Sequence, residues 1–182
     1  NKAAENRIDP GDKNYPREPT PWQHPQLAIG SGGSDSLNIE AMGIPPVWLN
    51  SESDIERLSD NIINQIKKIA KYVYIIFDLD DAGKKFAHKL NIKHLSLRTV
   101  FLPETLAVQY DAKGKPCKDL RDYLNLRTRA NFKMLLNNAK PYQFWEEEIP
   151  TNRDGTKKFK DGEVVKKFTI LTTYAINFLS RS

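Results

Sequence analysis

The sequence has few of the residues on which several common kinds of site depend. It contains one cysteine, Cys117, and three scattered histidines in 182 residues. A single thiol cannot form an internal disulfide bridge, and this set of residues cannot supply a cysteine-based zinc site. Cys117 also has no histidine at a spacing that indicates a nucleophile. The cysteine content fits a reducing compartment, and we expect a cytoplasmic protein.

Long apolar runs are also absent. No stretch approaches the roughly 20 apolar residues that a membrane-spanning helix needs, so we expect no membrane partner. The chain is 39% hydrophobic and 28% charged, which is ordinary for a globular domain. No signal-peptide pattern is visible. Because the first residue is Asn1 rather than methionine, we expect a piece of a longer chain.

Positive charge is in excess, and the excess is uneven. The net charge is +5, and residues 80–133 carry twelve lysines and arginines against six acids. Such a stretch suits a polyanion whose phosphates meet the basic side chains. A lysine-rich surface that only contacts solvent explains the same count, and charge alone favours that second interpretation.

Composition divides the chain into three parts. Residues 1–24 are polar and punctuated by proline, so we expect an extended linker or arm. Residues 25–140 alternate predicted strands and helices, which indicates an α/β domain with a parallel sheet and right-handed crossovers. Residues 141–182 contain an acidic run, a turn signal and an apolar, helix-like run over 171–179. We interpret this part as a small C-terminal extension that leads to a further domain.

Four strands are predicted in the α/β part. They cover residues 26–29, 46–49, 72–77 and 97–102. The third is the clearest, because its residues are mainly aromatic and β-branched. Trp48 lies within the second strand, so we expect its side chain to pack in the core.

Helices are predicted between and after these strands. They cover residues 34–42, 53–71, 81–90 and 128–139, with a further helix that begins after Asp119. Gly43 is expected to be the C′ glycine of the first helix. The pattern from Ser53 to Glu56 is a capping box that would open the second helix.

Two acids follow the third predicted strand. Asp78 and Asp80 stand at its carboxyl end, which is the edge where open α/β sheets bind ligands. Neighbouring carboxylates repel each other unless a cation joins them, and their oxygens suit Mg²⁺ beside a phosphate. The alternative is that Asp78 only ends the strand and that Asp80 or Asp81 caps the next helix. The spacing alone leaves both interpretations open.

A glycine-rich turn follows the first predicted strand. It consists of Ser31, Gly32 and Gly33 and precedes a predicted helix. Glycines let the backbone pass close to a phosphate, and a helix N-terminus attracts anions. Such a turn is weak evidence by itself, but here it lies in the same predicted sheet as the two acids.

The order of these motifs resembles the TOPRIM domain, which bacterial-type DNA primases, topoisomerases and certain nucleases share. In that family the first strand ends in Glu-Gly-x-x-Asp and the third in Asp-x-Asp-x-x-Gly. This chain has Ser-Gly-Gly-Ser-Asp over residues 31–35 and Asp-Leu-Asp-Asp-Ala-Gly over residues 78–83, followed by Lys84 and Lys85. The resemblance covers roughly residues 26–126 and implies a Rossmann-like, four-stranded parallel sheet with flanking helices.

A closer likeness is to primase-like replication proteins of phages and mobile elements in gut Bacteroides-type bacteria. This chain is similar to them in Asn50-Ser51-Glu52 and in Lys118-Asp119 followed by Asp122-Tyr123. In such proteins a helicase-like region often follows, and the segment after residue 140 could lead into it. The likeness also implies the cytoplasm of a bacterial host cell.

The resemblance implies a DNA primase, which makes primers on single-stranded DNA from nucleoside triphosphates. It implies Mg²⁺ or Mn²⁺ held by Asp78 and Asp80, with Asp35 and Glu52 as further catalytic residues. It also implies a replicative helicase domain or protein as a partner. The residues implied in binding nucleic acid or phosphate are Ser31, Gly32, Gly33, Lys84, Lys85, Lys118 and Arg121.

The chain departs from the family pattern at one position. Ser31 stands where the family has its first-strand glutamate, and Gly33 is not an acid either. Glu52 is a candidate replacement, although an acid there also suits a helix N-terminus. The departure favours a catalytically weakened TOPRIM module that binds nucleic acid, and a TOPRIM nuclease is a further alternative. A topoisomerase would need a catalytic tyrosine domain, and a dehalogenase-like phosphatase would carry its Asp-x-Asp on the first strand.

Overall fold

A computed structural model describes residues 22–49, 58–160 and 163–171 of the chain. Its centre is a four-stranded sheet with the strand order β2-β1-β3-β4, in which neighbouring strands are parallel. The strands are β1 (His24–Ser31), β2 (Pro46–Leu49), β3 (Ala70–Ile76) and β4 (Arg98–Thr99). The predicted α/β fold with a parallel four-stranded sheet is therefore confirmed.

The two central strands carry much of the core. In β1, Ala28 and Ile29 are fully buried, and Ile29 pairs with Ile75 of β3. Strands that are covered on both faces are continuous apolar runs rather than alternating ones, which explains the buried apolar run from Val73 to Ile76 of β3. Because the pairing is parallel, the carboxyl ends of β1 and β3 lie side by side.

Helices follow the strands as the sequence predicts. In the described part of the chain they are α1 (Gly32–Ala41), α2 (Asp60–Ile69), α3 (Asp81–Lys93), α4 (Leu120–Leu126) and α5 (Arg129–Asn138). Asp80, one of the two acids named as alternatives for the cap, caps α3, and α4 begins directly after its cap Asp119, as predicted. Gly43 follows α1 with φ +79°, the left-handed conformation that a C′ glycine provides. None of the helices among the described residues is long and apolar enough to cross a membrane.

The start of α2 differs from the prediction. The helix begins at Asp60, and the hydroxyl of Ser59 caps it by accepting a hydrogen bond from Ile62 N. Leu58 and Ser59 are described and are not helical. The predicted capping box, Ser53 to Glu56, lies outside the described residues. Two capping signals follow one another in this sequence, and the helix uses the second.

Trp48 is not in the core, so that prediction is wrong. Its side chain is 61% exposed, whereas Leu49 beside it is buried. Successive residues of a strand point to opposite faces, and β2 is an edge strand of the sheet. The Trp48 ring instead lies against Gly33 at the start of α1.

The residues after 140 form short antiparallel strands. They are β5 (Phe144–Glu148), β6 (Phe159–Lys160), β7 (Glu163–Val164) and β8 (Lys167–Leu171), with β5 paired to β8 and β6 to β7. Trp145 is buried and packs edge-to-face on Phe101, with the ring centres 5.2 Å apart. Leu171, the first residue of the predicted apolar helix, belongs to β8, and the rest of that run lies outside the described residues. The predicted division near residue 140 stays a prediction.

Candidate functional site

Three charged side chains meet at the carboxyl end of β3. The ammonium nitrogen of Lys118 lies 2.6 Å from Asp80 Oδ2 and 3.0 Å from Asp78 Oδ2. The Asp78 side chain is 13% exposed and the Asp80 side chain 38% exposed. The two acids predicted as metal ligands therefore both contact one ammonium group. That group belongs to Lys118, which is also a predicted site residue.

The backbone around this cluster is closely packed. A Cβ atom at Gly83 would overlap the carbonyl oxygen of Asp78 and would lie 2.9 Å from its backbone N and C atoms. Only glycine fits there without a shift of backbone, and its N–H donates a 2.9 Å hydrogen bond to Asp80 Oδ1. The glycine of the Asp-x-Asp-x-x-Gly motif thus lets the first turn of α3 pack directly on the residue that carries the first carboxylate.

Lys118 is held in place through its own backbone. Leu79 N donates to Lys118 O at 2.8 Å, and Lys118 N donates to Asp122 Oδ2 at 2.9 Å. Asp122 lies in the first turn of α4, three residues after the cap residue Asp119. The loop before α4 is thereby attached to the loop after β3, and the lysine side chain is aimed at both acids.

The contact between Lys118 and the acids shifts the pKa values of Asp80 and Lys118. Partial burial opposes the charged form of Asp80, but hydrogen bonds from Gly83 N and the Lys118 ammonium hold its pKa below the usual range. The bond to Asp80 raises the pKa of Lys118 well above its usual range, with a further contribution from Asp78. Lys118 and Asp80 are therefore both charged near neutral pH.

The glycine-rich turn lies beside the same acids. Ser31 is buried at the end of β1, and its hydroxyl donates to Asp78 Oδ1 at 3.3 Å. Gly32 begins α1 with φ +73°, a conformation that side chains rarely adopt. The Ser31 side chain makes no capping bond to α1. The residue that replaces the family glutamate thus contacts Asp78, and the turn brings the N-terminus of α1 to this edge.

Asp35 lies on the inner side of the site. It is 5% exposed and accepts a 3.3 Å hydrogen bond from Arg121 N. Burial, with smaller contributions from the charges of Asp119 and Asp78, raises the pKa of Asp35 to about 7 against the lowering effect of Arg121. Asp35 is consequently a carboxyl group that can exchange a proton near neutral pH.

Asp119 was predicted only as a helix cap, yet it belongs to the electrostatics of the site. It caps α4 by accepting from Asp122 N at 2.7 Å, and its other oxygen lies 3.4 Å from Arg121 Nη2. Its charge acts on Asp35. The sequence signal was the acid directly after Lys118, but only the packing of α4 against α1 brings it to Asp35.

The remaining predicted residues differ in their surroundings. The ammonium of Lys84 donates to Glu104 Oε1 at 2.9 Å and lies 4.6 Å from the centre of the Trp145 ring, and its predicted contact with phosphate stays a prediction. Lys85 is partly exposed on α3. Glu52 lies outside the described residues, so its place relative to the acids stays a prediction.

The donor set fits a divalent cation. Asp78 and Asp80 each present a carboxylate oxygen to one positive charge, and such oxygens are ligands that Mg²⁺ prefers. Among the described residues, no group of three or more histidine, cysteine or acidic side chains could hold a metal ion. Water and a substrate phosphate would supply the other ligands, which is how Mg²⁺ is commonly bound in phosphate sites.

Comparison with known proteins finds a similar fold among solved structures but no match by sequence. No protein-family model and no curated protein matches the sequence. A chain from a bacteriophage T7 assembly, in which the lagging-strand DNA polymerase interacts with primase domains bound to an RNA/DNA hybrid and dTTP, aligns with a TM-score of 0.50 and 20% identity. That alignment covers 66% of this chain and 58% of the T7 chain. This chain therefore shares its fold with that chain and spans little more than half of its length.

Two further primase structures are similar at lower scores. The primase fragment of the bacteriophage T7 primase-helicase aligns with a TM-score of 0.47 and 19% identity, over 62% of this chain and 44% of that one. A structure with the zinc-binding and RNA polymerase domains of the Aquifex aeolicus primase aligns with a TM-score of 0.45 and 26% identity, over 63% and 26%.

Proposed function

We propose that this chain is a TOPRIM-type DNA primase domain that makes primers on single-stranded DNA in the replication of a phage or mobile element. The observation that carries the proposal is that Asp78 and Asp80, at the carboxyl end of a central parallel strand, both contact the ammonium of Lys118. The motif resemblance supports the same reaction, and the fold likeness is compatible with it. Mg²⁺ or Mn²⁺ is the cofactor that the donor set suits.

In this proposal Asp78 and Asp80 hold the divalent cation. When bound, the cation would neutralise the triphosphate and lower the pKa of the attacking 3′-hydroxyl. The hydroxyl of Ser31 orients Asp78 through its hydrogen bond to Oδ1. Asp35, with a pKa near neutrality, would accept the proton that the 3′-hydroxyl loses.

Lys118 has two roles in this scheme. Without substrate, its ammonium forms ion pairs with both acids and reduces their mutual repulsion. When a divalent cation enters, the ammonium is repelled and becomes free to contact a substrate phosphate, as the sequence resemblance implies. Arg121 lies one turn further on, and Gly32 and Gly33 would let phosphate oxygens approach the N-terminus of α1. Lys84 would reach the template backbone only if its pair with Glu104 opens, whereas that pair does not restrain Lys85.

The direct test is incorporation of labelled ribonucleotides on single-stranded DNA with Mg²⁺ or Mn²⁺. Asp78→Asn should abolish incorporation while leaving the melting temperature close to that of the parent chain. Asp81→Asn is the matched control, because it removes the neighbouring, exposed acid at the start of α3, and it should retain activity. Full activity of Asp78→Asn would disprove the role of the acids.

A second function rests on Ser31 and Lys118. A serine stands where the family has an acid, and a lysine already pairs with both acids, so a non-catalytic nucleic-acid-binding module is the competing proposal. Single-stranded DNA binding without any metal-dependent incorporation would favour it. Cleavage of the same DNA without added nucleotides would favour the nuclease.

The partners follow from the motif resemblance. We propose nucleoside triphosphates and single-stranded DNA as ligands, and a replicative helicase domain or protein as partner, in the cytoplasm of a bacterial host. Residues 141–182 would lead towards the helicase. Co-purification of a helicase with the full-length protein, and its loss when residues 141–182 are removed, would support that arrangement.

A further inference from the structure

A cavity opens beside the acid pair. Its volume is about 400 Å³, and its walls are Leu79 and Asp80 on one side and Ala107 with the segment 115–118 on the other. Ligand sites for small molecules usually measure roughly 300 to 1,000 Å³. The cavity is thus large enough for one heterocyclic ring, and it shares Asp80 and Lys118 with the charged cluster.

The walls of the cavity are fixed by backbone hydrogen bonds. Leu79 N donates to Lys118 O at 2.8 Å and joins the two sides. On the far wall, Cys117 N donates to Gln109 O at 2.9 Å, and Tyr110 and Pro116 form an isolated bridge of antiparallel type. The loop that lines the cavity is therefore a closed hairpin, and a ligand would find the space already formed.

The chemistry of the walls is divided. Leu79, Ala107 and Pro116 offer apolar surface, and the thiol of Cys117 is the remaining uncharged side chain. Charge enters only through Lys115 and through Asp80 and Lys118, which belong to the charged cluster. A fitting occupant has a flat apolar part joined to a strongly anionic part, and the anionic part must reach the acid pair with its cation.

We propose that this cavity holds the nucleobase of a nucleotide whose phosphates lie at the acid pair, a proposal that rests on the proposed function. The ring contacts Leu79, Ala107 and Pro116, and the phosphates meet Lys118 and the divalent cation. Apolar walls contact the face of a base rather than its hydrogen-bonding edge. The subsite therefore adds affinity with little preference among the four bases, because burial against apolar walls depends on the apolar area of the ring and not on its donors and acceptors.

The test compares a nucleotide with its phosphates alone. Binding of ATP and of inorganic tripolyphosphate, each with Mg²⁺, is measured by titration calorimetry on the full chain. The parent chain should bind ATP roughly tenfold or more tightly than tripolyphosphate, because removing about 60 Å² of apolar surface from water against these walls is enough for that factor. Ala107→Trp fills the cavity and should remove this difference while leaving tripolyphosphate binding unchanged. Ala107 is exposed, so the larger side chain does not disturb the core.

Val108→Trp is the matched control. Val108 is the next residue, is 69% exposed and is not part of the cavity wall, so this variant should keep the preference for ATP. Equal binding of ATP and tripolyphosphate by the parent chain, or an undiminished preference in Ala107→Trp, overturns the base subsite while the metal-phosphate site stands. If neither ligand binds, the proposed function fails and the subsite fails with it.

Discussion

The ammonium of Lys118 lies 2.6 Å from Asp80 Oδ2, although 38 residues separate the two in sequence. The same nitrogen is 3.0 Å from Asp78 Oδ2. A positive charge of the protein thus occupies the space between two acids that suit a divalent cation. Metal binding and this ion pair compete for the same oxygens.

Replacement of Lys118 by methionine tests that competition. Lys118→Met keeps the apolar stem but removes the charge, so Mn²⁺ should bind at least about fivefold more tightly, since a unit charge at this distance is worth roughly 1 to 4 kcal/mol. Without metal, the melting temperature should fall because Asp78 and Asp80 then repel each other. Added Mn²⁺ should restore it. Calorimetry and thermal unfolding with and without Mn²⁺ measure both effects.

Lys113→Ala is the control for this variant. It removes one positive charge from the exposed turn that precedes Lys118, and it leaves the acid pair intact. Its affinity for Mn²⁺ should stay within a factor of about two, since charges of the exposed surface are largely screened. The same Mn²⁺ affinity in Lys118→Met and the parent chain would show that the lysine does not compete.

Gly83 and Gly33 differ in what an added Cβ atom would contact, which is rigid backbone at Gly83 and a movable side chain at Gly33. Gly83→Ala places a Cβ on the backbone of Asp78, whereas Gly33→Ala places one 2.8 Å from the exposed ring of Trp48. Backbone cannot move away without breaking the turn, but an exposed ring can rotate. We expect Gly83→Ala to lower the free energy of unfolding by about 3 kcal/mol or more and Gly33→Ala by about 1 kcal/mol. Urea denaturation measures both, and equal losses would contradict this reasoning.

Asp35 should make the stability of the metal-free protein depend on pH. Its pKa is about 7 in the folded protein and 3.8 in a model peptide. Between these values the folded protein binds a proton that the unfolded chain has lost, so the free energy of unfolding falls as pH rises from about 4 to about 7. The total loss is up to about 4 kcal/mol.

Asp35→Asn should remove this loss, because the amide stays neutral at all these pH values. In EDTA the variant should be more stable than the parent chain at pH 8 and similar to it at pH 4. Glu40→Gln, an exposed acid on the same helix, should leave the pH profile of the parent chain unchanged. Denaturant unfolding at several pH values gives the comparison, and parallel profiles for Asp35→Asn and the parent would refute the prediction.

Trp48 lies near the carboxyl ends of the parallel strands, and Trp22 lies near their amino ends. Trp48 is 61% exposed beside the glycine-rich turn, and Trp22 is 53% exposed before β1, with Lys71 6.0 Å from its ring centre. If single-stranded DNA crosses the carboxyl edge, Trp48→Ala should weaken its binding about tenfold, since one stacked base contributes roughly 1 to 3 kcal/mol. Trp22→Ala should bind like the parent. Fluorescence anisotropy of a labelled oligonucleotide measures both, and equal effects would exclude a stacking role for Trp48.

Capping and packing explain which parts of the site could be predicted. Asp80 and Asp119 were predicted as caps because a cap is formed within three or four residues of sequence. The unbroken apolar run of β3 indicated its burial for a similarly local reason. The exposure of Trp48 was not predictable from its strand, because an isolated apolar residue does not show whether its strand lies at the centre or the edge of a sheet.

Side chains far apart in sequence were harder still. Lys84 follows the family glycine and was expected to contact phosphate, yet it pairs with Glu104 and lies over Trp145. Trp145 comes from β5, which packs on α3, and Glu104 comes from the segment after β4. Nothing near Lys84 in sequence indicates either partner. The link from Asp119 to Asp35 has the same origin.

The sequence by itself determined the order of strands and helices, the glycine at position 83 and the two acids after β3, because hydrophobic periodicity, capping and close backbone approach act over a few residues. Only the tertiary structure decided that Lys118 pairs with both acids, that Asp35 is buried beside Asp78 and Asp119, and that a cavity adjoins them. These features depend on which loops the parallel sheet brings to one edge, and Coulomb interactions and burial act across that space regardless of the distance along the chain.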